Sequence, residues 1–476
     1  MSESKLEYFL THLSGAERER FRAQLADSQR KRDRLLARLL ELLIANKLPP
    51  EAIYADLYPQ KHYSEKQMRN LRSALFNQLT DFLTHRLFAN SPEKTLFFMR
   101  AMNDIGANKY FPAILEKHWG KAEDRNLSLD YADLDNRVRI EEIKHQLAVQ
   151  GRQEVALEPL LQETEAAFVA RMLHHVLAFQ EAKRVIEAGE GAVPPTHLWP
   201  VILAHLEAGA WSDSPLVQLY FSIYQLVSSA SNRNQYLRVK SMLTAHSDRL
   251  DRQEASQMYT LTLNHCIRQY NLSAVFWREE IFHLYREMIA RSVLVEPAGI
   301  SAWRFKSVVS IGVQLREFAW VETFVERHRR FIPREFREAT THFCWGLLAF
   351  FRRSYPEAEA NMHTVLTENK DPFLGLDARA YLLRIYYETE NEIGLNALIN
   401  SFRQFLRRHP HLAAERLASY YEFIRFFRRL HALNPNDQKR ADKLRQEIES
   451  SPYRAGRDWF LEKLAKRFPT AQADTT

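Results

Sequence analysis

Glycine is scarce in this chain, 13 of 476 residues, under half the usual ~7%. Asn-Gly and Asp-Gly pairs are almost wanting, so tight β-hairpins are disfavoured. Only two cysteines occur, Cys266 and Cys344, far apart and outside any CxxC pair. That excludes a disulfide framework and a cysteine-based zinc site, and fits a reducing interior. No run approaches the ~18 uninterrupted apolar residues of a membrane helix, and "MSESKLEYFL" lacks a basic region followed by an apolar signal core. The expectation is a soluble, cytoplasmic protein with no membrane partner.

Reaction motifs are lacking too. Neither GxGxxG nor a phosphate-binding GxxxxGK loop is present, and Gly189 with Gly191 has no third glycine before a helix. HExxH and GxSxG are also missing. His174 and His175 project about 100° apart on a helix, so one metal cannot take both unaided. His409 and His411 flank Pro410 in an inter-helix turn. Glu141 in "RIEEIKHQ" pairs with His145 at i+4, an ordinary helix-surface contact. No catalytic residue, cofactor or metal follows from these patterns, and an enzyme is not expected.

What the chain does have is length, charge and aromatics. At 476 residues it exceeds the size at which one core keeps growing, which implies several domains or a repeat array. The net charge is +7. Both ends are basic and the middle is mildly acidic, a polarity that suits acidic or nucleic-acid partners at the ends and equally suits solvated helix faces. Aromatics reach 12% and mix with arginine in "FFRRS" and "YYEFIRFFRRLHAL". Such surfaces grip peptides or bases, but in stacked helices most rings wedge between neighbours.

Helical periodicity runs through the chain. "SGAERERFRAQL" opens with a Ser14/Glu17 capping box. "RDRLLARLLELLIANK" puts Leu35, Leu39, Leu42 and Leu43 on one face, and Pro49-Pro50 stops that helix. Ser64 with Gln67 opens another, whose Leu71, Ala74, Leu75, Leu79, Phe82 and Leu83 face inward. The breakers in "EGAVPPTHLWP" mark a boundary or large loop. The resulting division is an N-terminal helical domain at 1–90, a helical connecting region at 91–190, a Pro/Gly-containing loop at 191–211, paired-helix repeats with a C-terminal capping helix at 212–468, and a frayed tail at 469–476.

Beyond 211, first helices are expected near Pro215, Arg252, Ser301, Phe336, Phe373 and Ala413, and second helices near Asn234, Ala274, Phe318, Tyr355, Ile393 and Asp437. A mid-thirties to forties period of helix pairs points to an α-solenoid. "WGLLAFFRRSYPEA" is similar to a tetratricopeptide repeat: Gly346, Tyr355 and Ala358 match its small-residue and Ala positions. A glycine inside a helix costs ~1 kcal/mol relative to Ala, so Gly346 predicts a close approach of two helices. The neighbouring units offer Phe318 with Val321, and Asn391 with Gly394, at the matching positions. The likeness is clearest over 301–410 and of bacterial type. It implies an all-α fold of antiparallel helix pairs stacked as a superhelix.

Near the N-terminus, "YADLYPQKHYSEKQMRNLRSALFNQL" resembles the helical part of a winged-helix domain in bacterial activators that carry such repeats. Leu57, Tyr58, Pro59, Asn70, Leu71, Arg72 and Ser73 carry the resemblance, though no β-hairpin wing follows. In that reading Lys66, Arg69, Asn70, Ser73 and Asn77 contact phosphates and base edges.

The expected function is a non-catalytic scaffold that binds a peptide or protein on its concave face. With Gly346 setting the register, the inward residues are Trp303 and Lys306, then Phe343, Leu347 and Phe350, then Arg379, Leu383, Tyr386 and Tyr387. Their aromatic character suits an amphipathic helix or short motif. The alternative is a nucleic-acid-binding regulator, with the Arg69 helix on DNA and basic C-terminal residues such as Arg425 and Lys439 adding phosphate contacts.

Overall fold

The structure, a computed structural model, describes residues 5–469 except 28–29, 46–47, 90–92, 105–109, 111–112, 115–130, 151–155, 188–196, 229–232, 247, 273–274, 297–298, 369–370, 410–413 and 454–455. The breaker cluster around Gly189 and Gly191, His411 and the tail beyond 469 thus lie outside the described residues. Among those described there are 22 α-helices and no strand. None of them is long and apolar enough to cross a membrane. Contacts divide the chain into two compact units, Met1–Leu127 with Ala132–Ala167, and Ser128–Tyr131 with Phe168–Thr476.

The first unit contains α1 (Lys5–His12), α2 (Gly15–Ala26), α3 (Lys31–Ala45), α4 (Pro50–Leu57), α5 (Glu65–Ala89), α6 (Glu93–Asp104) and most of α7 (Tyr131–Gln150). The capping box forms as its residue types require: the Glu17 amide donates to Ser14 Oγ at 3.2 Å and the Ser14 amide to Glu17 Oε2 at 2.8 Å. The apolar faces of α1 to α5 merge into one core, where Phe21, Leu39, Tyr54 and Leu75 are fully enclosed. All six expected inward residues of α5 belong to that core or pack against it. Ion pairs from Arg72 to Glu7 and from Arg86 to Glu17 tie α5 to the start of the chain.

The second unit includes the latter part of α8 (Glu158–Glu187), then α9 (Trp199–Glu207) and six helix pairs. These are α10 (Pro215–Ser228) with α11 (Arg233–His246), α12 (Arg252–Leu272) with α13 (Val275–Ala290), α14 (Ala302–Gln314) with α15 (Phe318–His328), α16 (Arg334–Phe351) with α17 (Tyr355–Glu368), α18 (Pro372–Glu388) with α19 (Glu392–Arg408), and α20 (Ala414–His431) with α21 (Gln438–Ser450). A last helix, α22 (Arg457–Arg467), follows. Each of the twelve paired helices starts within two residues of its expected position. Each pair packs internally and against the next, and first helices also meet one another from α10 to α12 and from α14 through α16 to α18.

Two local devices recur along this array. The first is the close approach announced by glycine: a Cβ on Gly346 would stand 2.8 Å from Met362 Cε and 3.2 Å from Asn361 Cβ, and one on Gly312 would stand 2.5 Å from Val321 Cγ2. Gly394 differs. It sits in the first turn of α19, where its amide donates to the capping Asn391 Oδ1 at 2.9 Å, so it serves the helix start and not a helix–helix contact. The second device is the turn inside three of the pairs, α14–α15, α16–α17 and α18–α19. Arg316, Arg353 and Glu390 all adopt left-handed backbone, with φ of 62°, 63° and 53°. In each, the next amide reaches back five residues, from Glu317 to Gly312, Ser354 to Ala349 and Asn391 to Tyr386. This double-bonded helix end normally uses glycine at the left-handed position; here charged residues bear the strain.

Candidate partner-binding face

The nine expected partner-binding residues lie on the first helices α14, α16 and α18. Most of those side chains serve internal packing. Phe343, Leu347, Phe350, Leu383 and Tyr386 are buried, because successive first helices stand close enough for their rings to interleave. Tyr381 of α18 meets Phe343 and Phe350 of α16 edge-on, at 6.0 and 5.3 Å between centroids. The Tyr386 hydroxyl lies 3.1 Å from His363 Nε2. Arg379 is half-buried against the Phe405 ring at 4.1 Å and donates to the Gly375 carbonyl. Burial lowers its pKa. Trp303 alone of the nine is broadly open, at 48%.

Lys306 ends in a bridge across three first helices. Its ammonium pairs with Asp377 of α18, which also accepts from the Tyr420 hydroxyl of α20. Lys306 also lies 5.7 Å from the centroid of the Phe343 ring, on the intervening helix α16. Burial, with the Asp377 carboxylate beside it, pushes the Tyr420 hydroxyl well above its ordinary pKa. Nearby Cys344 is enclosed, and burial pushes its thiol up as well. The group therefore holds helices together as an ion-paired strut. Asp377 and Tyr420 gave no signal in the sequence, since a carboxylate before Ala378 reads as a solvated position.

At the C-terminal end of the array α22 packs against α18, α20 and α21. The half-buried Tyr387, last of the nine, meets Trp459 of α22 edge-on at 5.3 Å. Trp459 also lies parallel to Phe427 of α20, with centroids 5.7 Å apart and planes within 1°. Its indole N–H donates to Glu388 Oε1 at 2.9 Å, and Lys463, one turn on, pairs with the same carboxylate. Phe460 and Leu464, on the adjoining stripe of α22, are fully buried. At the start of the helix, Asp458 accepts from Arg278 of α13 at 2.8 Å. Gly456, with φ of 76°, brings the chain in so closely that a Cβ would lie 2.8 Å from Phe423 Cε2 and 2.9 Å from Arg384 Nη2.

In the first unit, Lys66, Arg69, Asn70, Ser73 and Asn77 all stand exposed on α5, opposite buried Met68, Leu71, Leu75 and Leu79. Helix α5 continues to Ala89 and α6 begins at Glu93, so the described residues after it are helical where a wing would stand. The histidines have local roles. His174 is half-buried and shares a hydrogen bond with Tyr220 at 3.0 Å, and His175 is exposed. His409 stacks on Phe405 and donates to its carbonyl. Glu141 takes Lys144 at i+3 rather than His145 at i+4. Among the described residues no three His, Cys, Asp or Glu side chains converge to hold a metal.

No family model, curated protein or solved structure matches this chain.

Proposed function

We propose that the chain is a cytoplasmic, non-catalytic scaffold of tetratricopeptide-like repeats that binds a helical segment of a protein partner on the face of its first helices. The observation that carries this reading is α22. Helix α22 packs against the first helices α18 and α20 and the second helix α21, held by ring stacking, two donors on one carboxylate and an ion pair to Arg278 of the second helix α13, the kinds of contact by which helical motifs are gripped. The close approach at Gly346 and the three equivalent left-handed turns support the repeat character of the array. Two buried, reduced cysteines accord with the cytoplasm.

The second reading is nucleic-acid binding by the first unit. It is favoured by the clustering of five exposed polar side chains on α5, with no hydrophobic residue to be desolvated among them. Affinity capture from native lysate, split into nuclease-treated and untreated halves and washed at low and moderate salt, separates the two. The scaffold reading expects one discrete protein in both halves at both salts. Nucleic acid retained only at low salt, and lost on replacing Arg69, Asn70 and Asn77 together with Ala, supports the second.

A further inference from the structure

A helix that merely shields the end of a repeat array needs contact only with the last pair. Helix α22 does more. Its Trp459 and Lys463 reach Glu388, 71 residues earlier in the chain from Trp459, and its Asp458 reaches Arg278, 180 residues earlier. The side chains that make these contacts follow a pattern along one helix. Asp458 meets a cation; Trp459 and Lys463, four apart and therefore on one side, share one carboxylate; Phe460 and Leu464 form the buried stripe beside them. The seat is correspondingly composed: the rings of Tyr387, Phe423 and Phe427, the acid Glu388, and the base Arg278 of the second helix α13. Opposite charges meet at both ends of this contact, Asp458 with Arg278 and Lys463 with Glu388.

We infer that α22 is an internal ligand, and that the seat beneath it is the docking site of a partner helix carrying an acidic residue, two consecutive aromatics led by Trp, and a Lys-Leu pair one turn on. The partner binds by displacing α22. This rests on the first-helix face being the partner's site, and it adds the recognition pattern and the competitor. Because α22 is tethered, it competes at an effective concentration of about millimolar, so the resting chain is closed to weak or mismatched helices and open to a well-matched one.

The test uses the full chain and a fluorescein-labelled peptide of residues 456–468, GRDWFLEKLAKRF, as the probe, read by anisotropy. Trp459→Ala in the chain weakens the internal helix and leaves the seat intact, so the probe is expected to bind that variant at least tenfold more tightly than the wild type. The same probe with its own Trp459→Ala change is expected not to bind. Glu388→Lys reverses the central charge, and that chain is expected to prefer a probe bearing Lys463→Glu. Binding of neither probe by variants that keep wild-type helicity and cooperative melting overturns the inference, as does equal binding of the probe lacking Trp. Should Trp459→Ala fail to fold, hydrogen exchange in the wild type decides: uptake at 457–467 at least tenfold faster than at 414–431 is expected of a helix that leaves its seat, and equally slow uptake in both overturns it. A partner found on the first-helix face while α22 never yields removes this inference alone; a seat that accepts the probe while cells supply no protein there removes the proposed function.

Discussion

Gly312→Ala sets two effects of opposite sign against each other. Gly312 lies within α14, where Ala is favoured over Gly by about 1 kcal/mol through the entropy of the unfolded backbone. Against this, the new Cβ would stand 2.5 Å from Val321 Cγ2, with Phe282 Cε2 at 3.6 Å and Trp320 Cε3 at 3.8 Å behind it. Val321 is fully buried and β-branched, with one strongly preferred rotamer in a helix, so it cannot turn aside and α15 must shift. Overpacking of this kind costs about 1–3 kcal/mol. The net expectation is a loss of about 1 kcal/mol. Gly346→Ala is the control, because the nearest atom there is the flexible end of Met362 at 2.8 Å, which gives way more cheaply; it should fall within about 1 kcal/mol of neutral and above Gly312→Ala. Hydrogen exchange of the amides in 302–328 and 334–368 reads each pair separately, which suits a chain of several units. A gain of about 1 kcal/mol for both variants would refute the reasoning, because only helix propensity would then be at work and the pairs would not be in contact.

The left-handed turns predict the reverse sign. Arg316→Gly removes the steric cost of an L-residue at φ 62°, about 1–2 kcal/mol, less the entropy glycine gains on unfolding, so the α14–α15 pair should become more stable by roughly 0.5 kcal/mol in the same exchange measurement. Asp377→Ala leaves the Lys306 ammonium and the Tyr420 hydroxyl without their shared acceptor; a loss of about 2 kcal/mol is expected, seen as a lower thermal midpoint of the repeat array. In the first unit, the Arg86 guanidinium and the Ser14 cap hold the Glu17 carboxyl at about 2, below its ordinary 4.5. A depressed carboxylate stabilises the fold above its unfolded pKa and ceases to do so as pH falls through the folded one. The stability difference between wild type and Glu17→Gln should therefore be constant above about pH 5 and vanish between pH 4.5 and 2, with solvent screening keeping it near 1 kcal/mol or below.

The helix boundaries were legible because capping residues, prolines and apolar periodicity are local. Ser14 with Glu17 and Gly346 against Ala358 act within a few residues or one hairpin, and each does in the structure what its chemistry requires, whereas Pro49 and Pro50 stand at the start of α4 and not at the end of α3, which closes at Ala45. The turns inside the pairs were less legible, since Arg316, Arg353 and Glu390 take the place where glycine would have announced them. The candidate face was read only in part. Periodicity puts Phe343, Phe350 and Tyr386 on the first-helix side, but a ring that wedges against the next helix has the same spacing as one that faces a ligand, and burial shows these to be wedges. Glu388, Trp459 and Arg278 had no local signature at all, because what joins them spans 71 and 180 residues of chain.

Placing a photo-crosslinking phenylalanine analogue at Trp303, exposed on a first helix, and separately at Ile393, 87% exposed on a second helix, tests the central claim in cells. The account predicts one discrete protein adduct from position 303 and none from 393. Equal labelling from both positions, or no protein adduct at 303, would contradict it.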